Sequence, residues 1–242
     1  MTSNTAQEEW AYVAGVQAYV YGYPLVEIVR TCALMTAVDA PTEYVRAPVN
    51  QFSHCPRPWT HEDRDVVTPA NDLLYSMAWL NLADGPVVLA MPAPTGRYFV
   101  IELVDAYSDN FRNLGPRVVG PDASRFALVG PDWSGTLPDG TEEIRCPTNL
   151  VWVLGRVLID GADDMQEARA FQAQFTLTAT GQSRLPQSVV DYQPSSPSDI
   201  AFFDNLARAM QDNPPPARDA GLVAQFARLG LARGRRVDTG PA

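Results

Sequence analysis

From residue 73 onward the chain breaks into short apolar runs set off by turn-forming letters. "TPANDLLYSMAWLNLADGPVVLAMP" holds the first two, residues 73–82 and 86–91, divided by Ala-Asp-Gly-Pro, and residues 97–104 form a third. Runs of this length, rich in branched and aromatic side chains, read as strands. Further strands are predicted at 117–119, 126–129, 143–145 and 149–159, with "GPDAS", "GPDWSGTLPDG" and "CPT" as the turns between them. Strands in succession without intervening helices argue for an antiparallel sandwich or roll instead of βαβ units.

Helical periodicity frames this core. Over residues 5–35, Trp10, Val13, Val16, Val20 and Tyr23 recur every three or four positions and predict the face that packs inward. Pro24 predicts a kink or a split, because proline removes a backbone bond and crowds the preceding turn. The apolar stretch 11–29 carries Gln17, Glu27, two glycines and Pro24, so it reads as a core helix and not a membrane span. Residues 39–70 show no sustained period and many prolines and charges, the mark of a long irregular excursion, often a functional one. Helix returns at 163–177, with Asp163 or Asp164 as cap, at 198–211 and at 219–231, and the final "ARGRRVDTGPA" reads as frayed. The domain organisation expected is a helix plus sandwich over 1–180 and a linker with a helical extension over 181–242.

Charge narrows the partners. With 28 acidic against 18 basic residues, the net charge of −10 repels phosphate backbones and anionic bilayers, so neither nucleic acid nor membrane is expected. Every basic residue is arginine. The lack of lysine excludes Schiff-base chemistry and a phosphate loop ending in Gly-Lys-Ser/Thr. The only histidines, His54 and His61, rule out a three-histidine zinc site within one chain and leave two histidines plus carboxylates open. Cys32, Cys55 and Cys146 are scattered and odd in number, as expected of reduced thiols in a cytoplasmic protein, and the polar, acidic start "MTSNTAQEEW" predicts no secretory signal.

Candidate chemistry comes from strand alternation, since residues two apart share a face. Glu102 falls in the row Tyr98, Val100, Val104, and Arg156 in the row Trp152, Leu154, Leu158. A buried charge needs a partner. Either the two neutralise each other, or they line a cavity, with Glu102 as general acid/base and Arg156 as a carboxylate clamp. In "VDAYSDNFRN", Asp105, Tyr107 and Arg112 crowd a strand end, as turn formers or as groups that bind and protonate a polar ligand. His54, beside Asn50, Gln51 and Arg57, is the first candidate for proton transfer near neutral pH; His61 reads as surface. Asn71 and Asp72 open the first core strand as an Asx-type turn, or Asp72 sits at a cavity rim facing His54. Gly-x-Ser-x-Gly and Gly-x-Gly-x-x-Gly are both absent.

"YVYGYPLVE", "TPANDLLYSMAWLNLADGPVVL", "GRYFVIELVDAYSDNF" and "PTNLVWVLGRVLIDGADD" together resemble the family called domain of unknown function 1254, over about residues 11–175. Asn71, Asp72, Tyr75 and Ser76 match its Thr-Pro-Asn-Asn-Asp-Thr-Leu-Tyr-Ser motif; Ala70 and Leu73 depart from it, which weakens any role tied to those two positions. Larger relatives continue into a second module, the domain of unknown function 1214, and "FFDNLARAMQDNPPPARDAGLVAQFARLGLARG" looks like the connector that precedes it. The resemblance implies a jelly-roll-like β-sandwich with helical additions, hence an α+β, mainly β fold, and brings no reaction with it. It also suggests a homo-oligomer or a separate partner chain over an exposed face.

The function expected is a small-molecule enzyme working by general acid/base chemistry without an organic cofactor, of hydrolase, lyase or isomerase type. Its catalytic set would be His54, Asp72, Glu102, Asp105 and Tyr107, with Asn50, Asn71, Tyr75, Arg97, Arg112 and Arg156 binding substrate. A metal stays open. The alternative is a non-catalytic ligand-binding or assembly module.

Overall fold

The computed structural model describes residues 2–64, 67–195 and 200–231. It has an N-terminal helix, two β-sheets and C-terminal helices. By contacts the chain divides into two units, one of Met1–Ala33, Ala106–Ser108 and Pro186–Ala242, the other of Leu34–Asp105 and Asp109–Leu185.

The second unit carries the sheets. After the excursion, which contributes only the short strand β1 (Ser53–His54), come β2 (Leu73–Asn81), β3 (Val87–Met91), β4 (Phe99–Asp105), β5 (Asn110–Leu114), β6 (Ser124–Val129), β7 (Glu142–Arg145), β8 (Leu150–Leu158), α2 (Met165–Gln172) and β9 (Thr176–Ala179). One sheet runs β1-β2-β8-β4-β5 and the other β7-β6-β3-β9. All pairs are antiparallel except β6 with β7, which is parallel where an antiparallel sandwich predicts none. Leu74, Leu80, Leu89, Ile101, Phe126, Val153 and Phe171 belong to one buried cluster fed by both sheets and by α2. Alternation explains it: residues two apart on β2, β4 and β8 send one row inward, where burial of each large side chain contributes about 1.5–3 kcal/mol.

Several predicted strands stand within two residues of the observed ones, and the exceptions have causes. Residues 117–119 form a turn, with Val118 and Val119 N–H groups both donating to the Gly115 carbonyl. The strand there is β5, "NFRNL", whose polar letters hide it. The helix expected at 163–177 ends at Gln172, and the chain reverses into β9. Asp164 stands at the N-cap position of α2 yet makes no cap bond, because its carboxylate is taken by Arg97.

The first unit is helical: α1 (Thr2–Met35, its last two residues in the other unit), α3 (Gln187–Val190), α4 (Ile200–Asp212) and α5 (Ala220–Phe226). Helices therefore take a larger share of the chain than a mainly β reading expects. Ser198 and the residues after Leu231 lie outside the described residues. The helix α1 runs unbroken through Pro24, so the expected split does not occur. The predicted inward face is also the wrong one. Val13, Val16, Val20 and Tyr23 are exposed, while Ala14, Ala18, Gly22, Leu25 and Val29 are buried. Both faces are apolar, and the one with small residues wins because it admits neighbours closely: a Cβ on Gly22 would collide with the Leu206 side chain of α4. Ala18 joins Ala207, Phe226 and Leu231 in a cluster of α1, α4 and α5.

Candidate functional site

The proposed acid/base groups each take separate surroundings. His54 sits on β1 opposite Ser76 of β2. Its Nδ1 lies 2.8 Å from the Ser76 Oγ, its ring stacks on Phe52, and it bonds to the Phe175 backbone. The Gln172 amide donates to the same Ser76 Oγ at 3.2 Å and to the Tyr75 carbonyl at 2.8 Å. Burial lowers the His54 pKa from its ordinary value, although the Phe175 contact opposes the shift. Asp72 is exposed at the mouth of β2, and its carbonyl accepts from the Ile159 N–H. It precedes Ser76 by four strand positions, about 13 Å along the strand, so the expected rim pairing of Asp72 with His54 does not form.

Glu102 and Arg156 do meet. Alternation puts them on one face of neighbouring strands β4 and β8, and they form an ion pair, each side chain half-buried. The Arg156 guanidinium also lies over the Tyr75 ring at 5.9 Å. The Tyr75 hydroxyl accepts from the Ala70 N–H at 2.9 Å. Asp105 closes the β4–β5 turn, its Oδ1 accepting from the Asp109 N–H at 3.0 Å. Tyr107, grouped with the helical unit, donates to the Asn213 carbonyl at 2.9 Å. Asn50, held at a positive φ of 62°, accepts from the Asn81 N–H and donates to Ser183. Arg97 forks onto Asp164, whose carboxyl is pushed down to about 2 chiefly by that bond, and Arg112 is exposed on β5.

A groove forms instead in the second half of the excursion. Its volume is about 860 Å³, and Trp59, Thr60, His61, Arg64, Thr68 and Asn71 help to line it. Of the catalytic and substrate-binding candidates named from sequence, Asn71 alone lies in it. The walls are pinned from behind. Arg57 grips Asp63 with two bonds of 2.8 and 2.7 Å, and Asp63 also accepts the Thr60 N–H at 2.7 Å. These bonds, the Arg57 fork first, hold the Asp63 carboxyl well below the usual carboxylate range. Trp59 is buried, donates to the Cys55 Sγ at 3.3 Å, and stacks on Tyr44 at 5.3 Å.

Sequence reasoning looked to the first half of the excursion, and the groove lies in the second. "WTHEDRD" carried the signal, a polar run hung from a tryptophan between prolines, but its charges read as plain surface. Chemically the groove offers a guanidinium, an imidazole, two hydroxyls, a carboxamide and the Arg57-paired Asp63 carboxylate beside an indole ring. That set suits a small molecule with a carboxylate and an apolar body. Among the described residues no group of three or more His, Cys, Asp and Glu gathers to hold a metal ion, and no helix is long and apolar enough to cross a membrane.

Comparison with known proteins places the chain among uncharacterised relatives. The crystal structure of the VPA0106 protein from Vibrio parahaemolyticus is similar with a TM-score of 0.73 at 20% sequence identity, over 95% of this chain and 54% of that one. An uncharacterized protein from Burkholderia cenocepacia aligns at a TM-score of 0.36 and 14% identity, over 83% of this chain and 54% of that one. The chain thus spans about half the length of the solved structures it matches. No curated protein matches. The model of the family described as "Protein of unknown function (DUF1254)" matches residues 49–179, from the excursion through β9, and the chain belongs to that family.

Proposed function

We propose that the chain is a non-catalytic binding module that holds a small carboxylate-bearing organic molecule in the excursion groove. The observation that carries this reading is the groove itself: about 860 Å³, within the range of small-molecule sites, lined by Arg64, Asn71 and Thr60 and framed by the Arg57–Asp63 fork. Arg57 answers the Asp63 charge, so that carboxylate does not oppose an anionic ligand.

The engagement of the other candidates favours binding over catalysis. His54, Glu102, Asp105 and Tyr107 each hold a partner of their own, and none lines the groove. A general base must reach the proton it takes. The buried thiols Cys32, Cys55 and Cys146 support a reducing compartment, the cytoplasm. The antiparallel order β1-β2-β8-β4-β5 supports a jelly-roll relation for the core.

The test is calorimetric titration with a panel of short aliphatic and aromatic carboxylates. We expect binding of at least one member, weakened at least about tenfold by Arg64→Ala and by Asn71→Ala with the fold intact by circular dichroism. Binding unchanged in both variants, or turnover of the bound molecule, overturns the reading.

A further inference from the structure

Independently of the groove, we propose that the outer face of α1 is the contact through which two copies of this chain associate, with the two helices antiparallel. Tyr12, Val13, Val16, Val20 and Tyr23 are 75, 56, 46, 67 and 46% exposed. At about 100° per residue they fall on one side of the helix, opposite Ala14, Ala18 and Gly22. The positions 13, 16, 20 and 23 step by three, four and three, which is the seam spacing of paired helices. A single exposed valine means little, but five adjacent apolar side chains form a patch of about 500 Å², the size of a monomer's largest apolar patch and often a functional one. Two such patches joined bury on the order of 1,000 Å², the lower bound of a specific interface.

Charge selects the occupant and its direction. The seam continues outward as Glu9 at one end and as Glu27 and Arg30 at the other, where Arg30 lies 2.8 Å from Glu27. A parallel pair would set Glu9 against Glu9 and Arg30 against Arg30. The antiparallel pair sets Val16 against Val20 and Val13 against Tyr23 at the centre. Continued outward, the same register sets Glu9 of one copy against Glu27 of the other, and the Arg30 one turn beyond that Glu27 answers both carboxylates. The surface is its own complement, as a two-fold contact between identical chains requires.

The experiment is size-exclusion chromatography with light scattering across a concentration series, together with disulfide trapping. A concentration-dependent dimer is expected, with its dissociation constant raised at least about tenfold by Val20→Asp while the helical circular dichroism signal persists. Arg30→Glu, which leaves Glu9 facing Glu27 with no cation beside them, should weaken the dimer. Val13→Cys mixed with Tyr23→Cys should cross-link, and Val13→Cys alone should not. A monomer at every concentration assigns this face to some other partner and overturns the proposal. So does a dimer indifferent to Val20→Asp, or one in which Val13→Cys cross-links to itself.

Discussion

The Nδ1 of His54 and the hydroxyl of Ser76 lie 2.8 Å apart across the β1–β2 pair, with the Gln172 amide on the same oxygen. This locks the imidazole to a strand, and it fixes how stability depends on pH. Burial lowers the His54 pKa in the folded state, so the unfolded chain takes up the proton first. Stability contributed by the neutral ring is complete above the ordinary value of about 6.5 and falls as pH drops below it, levelling off under the folded value. We expect the unfolding free energy from urea titrations to decline between pH 7.5 and 5.5, by no more than about 1.4 kcal/mol per pH unit from this group. His54→Gln should flatten that slope; an unchanged slope would show that the ring does not titrate in this window.

Removing both members of the Glu102–Arg156 pair should cost less than the two single removals added together. Each side chain is half-buried, so removing one leaves the other's charge partly desolvated. Glu102→Ala and Arg156→Ala are each expected to destabilise by about 1–3 kcal/mol in urea titrations, and the double variant by less than their sum. Strict additivity would mean that the contact contributes nothing.

Helix propensity favours alanine over glycine by about 1 kcal/mol, yet Gly22→Ala should destabilise. The added methyl meets the Leu206 side chain, and crowding of this kind costs about 1–3 kcal/mol. Adding Leu206→Ala should recover part of the loss from Gly22→Ala, as a cycle of thermal unfolding midpoints can show. A stabilised single variant would mean that α1 and α4 sit farther apart.

In the groove, Arg57→Ala should reduce carboxylate binding at least about tenfold while leaving the unfolding midpoint nearly unchanged. The substitution frees the Asp63 carboxylate to repel an anion and loosens the Thr60 wall. Calorimetry on the variant reads the first effect and urea titration the second. A large fall in midpoint would recast Arg57 as a structural residue.

Sequence pattern was most legible where burial dominates. The strands β2, β3 and β8 are long apolar runs between strong turn letters, and they stand close to their predicted bounds. Period two placed Glu102 and Arg156 each in an apolar row in need of a partner; that they meet is decided by the pairing of β4 with β8. Choices decided by tertiary partners were not legible. Asp164 reads as a cap until Arg97 claims it, and α1 presents two apolar faces between which only Leu206 and its neighbours decide. The strand β5 hides in polar letters because backbone pairing with β4 defines it. For the proposed groove, sequence pointed to the excursion and to Asn71 but weighted His54, whose ring is bound to Ser76, above the run from Trp59 to Asp63.

Pro24 has no N–H to give to the carbonyl of Val20, four residues earlier and in the middle of the exposed stripe. That oxygen is a ready acceptor on otherwise greasy ground, and bulk solvent can supply it while the face is bare. Whatever settles there must bring a donor or leave a water molecule behind, because a dried, unmatched carbonyl is expensive. The proline that fails to break the helix therefore decides whether the contact over it can be dry.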